Sequence, residues 1–288
     1  MPKNINSKNN NILVIGLGLI GSSLCRALKN SSYSEKICGY DHDKEVMEYA
    51  VEHNFVDESI KDLKSGIKEA DLVIICVPVH QVKKILDISK DFFNTKKVFT
   101  DTLSVKNPIL DFLAKNNLSN IDNLIFSHPM AGTEHSGIIN SKEDLFLNAT
   151  TIINPLCNSS LECINIVTEL WKAINCNIVE FDASNHDSLL AAISHAPHFI
   201  SFVLSKKMND LEFSDIDFLP TKTPSLLDMT RIANSDPEAW ASIFLENENA
   251  LCNFIDEYIK ELSELKYKIK SNNFDDIFSY LKKSKPIK

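Results

Sequence analysis

Arginine is nearly missing from this chain of 288 residues: of 30 basic residues only Arg26 and Arg231 are arginine. Only arginine offers a planar, two-pronged donor, so each one raises the question of what a lysine there cannot do. Basic charge as a whole is also short. The net charge is −9, which argues against a general nucleic-acid binder, because neutralising phosphates takes clustered positive charge. No apolar run approaches the roughly 20 residues that span a bilayer, so no membrane partner is expected. The segment Met1 to Asn11 is polar and has no apolar stretch of the secretory kind. The cysteines (Cys25, Cys38, Cys76, Cys157, Cys163, Cys176 and Cys252) include no C-x-x-C pair. That favours reduced thiols in a cytoplasmic protein over a disulfide framework or a zinc site.

What is present reads as globular. The hydrophobic share is 44% and the charged share 24%, and the length suits one large or two ordinary domains. Asn11 to Ile15 is a short apolar run rich in β-branched residues and reads as a buried strand. Lys36 to Asp41, Asp71 to Val77, Lys97 to Thr100, Asn123 to Ser127, Thr150 to Ile153 and Asn177 to Phe181 read likewise. Helical patterns lie between them, at Ile20 to Asn30, Asp43 to His53 and Leu161 to Ile174. Alternation of this kind predicts an α/β fold with a doubly wound parallel sheet and right-handed crossovers. After Asp182 long helical periodicities take over, for example Leu189 to Met208 and Trp240 to Ile269, without a convincing strand. The expected division is residues 10–182 for a Rossmann-type domain and 183–288 for an all-helical one, which would supply substrate contacts and a homodimer interface.

Gly16-Leu-Gly18-Leu19-Ile20-Gly21 is a G-x-G-x-x-G that follows a strand and opens a helix. The first glycine allows the tight turn, the second lets a pyrophosphate approach, and the third lets helix pack on strand. Phosphate charge then rests on the helix N-terminus. Asp41, at the end of the second strand, would bond ribose hydroxyls and repel a 2′-phosphate. The expected cofactor is therefore NAD in preference to NADP, with His42 and Lys44 close enough to soften that preference.

A second constellation follows the strand that ends near Ser127: His128-Pro-Met-Ala-Gly132-Thr133-Glu134-His-Ser-Gly137. By position it lies at the carboxyl edge of the sheet, where open α/β folds bind ligands. Thr100-Asp101-Thr-Leu-Ser104-Val-Lys106 ends another strand. Farther on come His186-Asp187, Ser194-His195-Ala-Pro-His198, Asp228-Met-Thr-Arg231 and Asp236-Pro-Glu-Ala-Trp240. Over Ile12 to about residue 270, these segments closely resemble the prephenate and arogenate dehydrogenase family. The resemblance implies NAD-dependent oxidative decarboxylation of prephenate, or alternatively of arogenate, a small-molecule substrate on the route to tyrosine. It implies that His128 is the catalytic base and that Ser104 holds the ring hydroxyl near the nicotinamide. Thr133 and Glu134 would line the pocket, Arg231 would grip a substrate carboxylate, and His198, with His195 nearby, would lie at the substrate. For Arg231 the chemistry agrees independently, because its fork meets a carboxylate through two hydrogen bonds.

Other readings remain beside these. His195 and His198 have an i, i+3 spacing that suits a metal, but no carboxylate or cysteine cluster completes a ligand set, so no metal is expected. His195 reads equally as a packing residue. Asp228 and Trp240 read equally as supports for Arg231 or as interface. Arg26 reads as part of a solvated helix face. Two departures from the family pattern bear on the choice of substrate: Leu103 stands where glycine is common, and Pro220 to Leu227 lacks a glycine-rich run. The rival functions are a β-hydroxy acid dehydrogenase, which would need a catalytic lysine in the helical half, and a sensor that binds NAD without turning it over.

Overall fold

The computed structural model describes residues 11–31, 33–133, 135–211 and 223–284. Its strands are β1 (Asn11–Ile15), β2 (Lys36–Tyr40), β3 (Glu58–Ser59), β4 (Leu72–Ile75), β5 (Val98–Asp101), β6 (Leu124–Pro129), β7 (Thr150–Asn154) and β8 (Asn177–Glu180). They form one sheet in the order β3-β2-β1-β4-β5-β6-β7-β8. Between them run α1 (Leu19–Ser31), α2 (Lys44–Glu52), α3 (Leu63–Glu69), α4 (Val82–Ser89), α5 (Asn107–Lys115) and α6 (Leu161–Ala173). The strand order reverses between β1 and β4, which opens a crevice at their carboxyl ends.

The side-chain alternation of the strands divides the core into two layers. Ile12, Val14, Leu72 and Ile74 point to one face, against Leu24 and Leu28 of α1 and Trp171 of α6. Leu13, Ile15, Val73 and Ile75 point to the other, against Ile85 and Leu86 of α4 and Ile109 of α5. The two-residue edge strand β3 was too short to be read from the pattern.

The parallel sheet expected from the sequence holds for every strand pair but one: β6 and β7 pair antiparallel. Among its described residues the link between them holds a single 3-10 turn, Ile138–Asn140, and no helix long enough for a crossover. The chain therefore turns back at the edge where it left, with the Met130 N–H donating to Thr150 O at 2.7 Å. This reversal keeps Met130 to Thr133 and Ser136 to Ile138 at the cleft over the carboxyl ends of the strands. Arg26 does not lie on a solvated face either. Its guanidinium bonds the carbonyl and hydroxyl of Ser141 and lies 4.9 Å from the centre of the Phe55 ring, clamping the returning segment onto α1.

From Ala183 onward every described element is helical: α7 (Ala183–Leu190), α8 (Ala196–Asn209), α9 (Pro224–Thr230), α10 (Pro237–Glu246), α11 (Glu248–Lys270) and α12 (Phe274–Lys283). Asp182 caps α7 by accepting from the Ser184 N–H at 2.7 Å. The periodicity from Leu189 to Met208 is not one regular helix, because Ala191–His195 widens into a π-turn just before Pro197. That from Trp240 to Ile269 breaks at Asn247. Within Ala183–Asn209 the most apolar stretch of 18 residues has a mean hydropathy of 1.4, long and apolar enough by length and composition alone to cross a membrane. His186, Asp187, His195 and His198 break the span, so it holds no long uninterrupted apolar run.

Candidate active site

A cleft of about 1320 Å³ lies over the carboxyl ends of β1, β4, β5 and β6 and is closed on its far side by α8 and α10. At one end is the glycine loop. Gly16 has φ +95, and a Cβ there would sit 2.6 Å from the Cys76 carbonyl oxygen. A Cβ on Gly21 would sit 1.9 Å from the Gly16 oxygen. The protein's own packing thus demands both glycines. Gly18 differs: nothing lies within 4 Å of a Cβ built on it, so the open space it borders belongs to the cleft. Leu19 and Ile20, at the start of α1, also line the cleft.

Asp41 follows β2, and its carboxylate is held from two sides. One oxygen accepts from the Leu17 N–H of the glycine loop at 2.8 Å. The other accepts from the Asp43 N–H at 3.0 Å and lies 2.9 Å from His42 Nδ1. The carboxylate is thereby fixed on the cleft wall next to the open space at Gly18.

The middle of the cleft is formed by the ends of β5 and β6. His128 is 7% exposed and lines it. His128 Nδ1 is 3.0 Å from His186 Nε2, and His186 Nδ1 is 2.6 Å from Asp187 Oδ1. These contacts fix the protons. The Asp187 carboxylate only accepts, so His186 donates through Nδ1 and its Nε2 is an acceptor. His128 must then donate through Nδ1, which leaves the lone pair on its Nε2. Asp187 also accepts from the backbone N–H groups of Lys106 (2.8 and 3.1 Å) and Asn107 (2.7 Å), anchoring the start of α5.

Beneath His128 lies a lysine with no access to solvent. Lys106 Nζ donates to the Asp101 carboxylate, to Leu103 O at 2.9 Å and to Ser127 O at 2.8 Å. Three acceptors for three N–H bonds suit an ammonium. Burial, then the Lys106 charge and the neighbouring His186 and His195, hold the His128 pKa well below the usual histidine value. His128 is accordingly a neutral base at neutral pH.

At the far end, His198 stacks on Trp240 with ring centres 3.6 Å apart and donates through Nδ1 to Ser194 O at 3.1 Å. Burial, partly offset by that bond and reinforced by the nearby Arg231 charge, lowers its pKa. Arg231 is exposed, lines the cleft, and pairs with no carboxylate among the described residues. Ser104 and Thr133 line the cleft as well. Glu134 lies outside the described residues, as do residues 220–222 of the segment before Pro224. His195 does not line the cleft, contrary to the expected substrate contact. It is 1% exposed, its Nδ1 bonds Asn247 at 2.9 Å, and it packs edge-on against Trp240.

One model, described as the nucleotide-binding domain of prephenate dehydrogenase, matches residues 24–180, and a second, its dimerization domain, matches residues 182–283. The chain belongs to the prephenate dehydrogenase family. It is 32% identical to the cyclohexadienyl dehydrogenase of Zymomonas mobilis, over 95% of this chain and 93% of that one. Among solved structures it resembles the Aquifex aeolicus prephenate dehydrogenase in complex with hydroxyphenyl propionate and NAD+, with a TM-score of 0.85, 28% identity and 95% of each chain covered. It also resembles the Synechocystis arogenate dehydrogenase, with a TM-score of 0.80 and 26% identity over 95% of this chain and 97% of that one.

Three members of the His128 cluster escaped the reading of the sequence in these roles. Lys106, His186 and Asp187 stood within noted segments but were given no function. The available signals were the adjacent His-Asp pair at the start of the helical half and a lysine five residues after an aspartate at a strand end.

Proposed function

We propose that this prephenate dehydrogenase family member oxidises and decarboxylates prephenate to 4-hydroxyphenylpyruvate with NAD, using His128 as base and Arg231 as carboxylate ligand. One observation carries the reading: the free Nε2 of a neutral histidine, an arginine that meets no carboxylate among the described residues, and the glycine loop all open onto one cleft. The fit of the cofactor rests on the open space at Gly18 and on the anchored Asp41 carboxylate. Gly16, Gly18, Leu19, Ile20, Gly21 and Asp41 would hold NAD, and Asp41 disfavours a 2′-phosphate there. Bound NAD supplies the acceptor for the hydride that leaves the carbinol carbon.

The protein's own part is proton handling and orientation. Ser104 holds the ring hydroxyl while His128 Nε2 takes its proton, help of a kind worth about 10²–10⁴-fold. The resulting imidazolium keeps its Nδ1–H on His186, which Asp187 orients. As the carbonyl forms, the ring carboxylate leaves as carbon dioxide; its bonding pair makes the ring aromatic and the oxygen a phenolate, which takes the proton back from His128 Nε2. Arg231 holds a substrate carboxylate by its fork, with His198 and Thr133 lining the same cleft. His195 supports Trp240 from behind.

Residues 10–182 and 183–288 form the two proposed domains. The helical half leaves Phe254, Ile259, Leu262, Ile269, Phe274 and Phe278 exposed, and a second copy of the chain is the proposed cover, giving a homodimer. All seven cysteines are free, which suits a cytoplasmic enzyme. The deciding experiment follows NADH formation with prephenate and with arogenate, side by side. Faster turnover of prephenate is expected. A preference for arogenate moves the assignment to that substrate, and no turnover of either leaves a cofactor-binding sensor.

A further inference from the structure

Asn247 lies between α10 and α11, is fully buried, and touches neither cofactor nor substrate positions. Its Nδ2 donates to the main-chain oxygen of Asp187 at 2.8 Å and faces His195 Nδ1 at 2.9 Å. The orientation of the amide follows from chemistry. The Asp187 carbonyl can only accept, so a flipped amide would set two oxygens against each other. The same NH₂ group then requires His195 Nδ1 to be the acceptor, with the proton on Nε2. Burial lowers the His195 pKa to about 4, so this histidine is neutral at neutral pH.

The two ends that Asn247 holds bracket the π-turn Ala191–His195. Such turns carry one extra residue and give a helix a choice of register. On the near side, Asp187 orients His186 and through it His128. On the far side, His195 packs on Trp240, the platform for His198. A slip at the π-turn would therefore change the distance between the base and the substrate grip.

We propose that Asn247 is a positioning residue that fixes the register of Asp187 to His195, and with it the spacing between His128 and His198. The inference rests on the function proposed above and extends it to a residue outside the cleft. A purely structural role would lower stability and leave the chemistry of each folded molecule unchanged.

The test joins kinetics to histidine ¹⁵N NMR. In the unaltered protein at pH 7, His195 is expected as the Nε2–H tautomer and His128 as the Nδ1–H tautomer. An Nδ1–H tautomer at His195 overturns the proposal whatever the variants do. Asn247→Leu keeps the branching and the heavy-atom count of the side chain and removes both donors. It should lower kcat by about one to two orders of magnitude, as small misplacements of reacting groups do. It should also shift the acid limb of the pH profile and leave NAD affinity unchanged. Asn247→Asp serves as a second variant: it opposes the Asp187 carbonyl, should lower kcat similarly, and should move the His195 proton to Nδ1. If the unaltered enzyme turns over substrate and folded Asn247→Leu or Asn247→Asp matches its kcat and pH profile, the inference fails while the proposed function stands. Absence of turnover by the unaltered enzyme removes both.

Discussion

The sheet half and the helical half solve the burial problem differently. The strands β1, β4, β5 and β6 are almost wholly buried between two layers of helices, so that half completes its core within one chain. Of the described apolar residues from Ala183 onward, only Ala183, Leu190, Ala191, Ala196, Ile243 and Leu251 are buried. Larger side chains, among them Leu245, Phe274 and Leu281, stay exposed there. One half is a finished scaffold, and the other is a surface waiting for cover. Yet the proposed chemistry joins them, because His128 ends a strand while the residues that orient it belong to α7.

The largest expected effect tests the sheet half's contribution. His128→Asn should lower kcat by about 10²–10⁴-fold, the usual worth of a general base, with NAD affinity nearly unchanged in a binding titration. A kcat within a fewfold would remove the base from this half. Arg231→Lys then tests whether the helical half reaches the substrate. Charge remains but the fork is lost, at about 1.5–3 kcal/mol, so KM should rise by one to two orders of magnitude while Tm stays put. An unchanged KM with a lowered Tm would make Arg231 a structural residue.

A smaller effect should sharpen the contrast in burial. Leu262 on α11 is 51% exposed. If a second copy covers that face, Leu262→Glu should weaken the dimer by at least the roughly 1.5–3 kcal/mol of a buried leucine, seen as dissociation in sedimentation velocity. No change in association state would place the interface elsewhere. The smallest effect concerns pH. His195 has a folded-state pKa of about 4, below that of an unfolded histidine. The unfolded chain then binds the extra proton, so stability is full above about pH 6.5 and is lost as pH falls towards 4. Tm should decline across that window, and His195→Phe should flatten the decline.

Local demands were legible in the sequence and distant ones were not. Gly16 and Gly21 could be read because the loop leaves no room for a Cβ, and strands such as Leu72–Ile75 could be read because both faces are buried. His128, Ser104 and Arg231 stood out through motif and scarcity. The bond from His128 to His186 spans 58 residues and has no local signature. The reversal between β6 and β7 depends on a link without a crossover helix, and the π-turn hides within an ordinary helical periodicity. Helix ends were also hard to place, because asparagine stands where glycine is the usual signal: Asn54, Asn117, Asn175 and Asn272 all take positive φ. His195, at the end of the π-turn, was misplaced because helical spacing cannot tell the side of that turn that faces the cleft from the side that meets Asn247.

Asp187, a carboxylate from the helical half, thus sets the tautomer of the proposed base in the sheet half. The most direct test is kcat of Asp187→Asn, measured at pH 7 beside the unaltered enzyme. With its oxygen kept on the Asn107 N–H, the new amide would present NH₂ to His186 Nδ1. That inverts both histidines and leaves His128 with a proton on Nε2, where the substrate needs a lone pair. A loss of about two orders of magnitude or more is predicted, as for other bases held in the wrong tautomer. A folded Asp187→Asn protein with kcat within a fewfold of the original would contradict the claim.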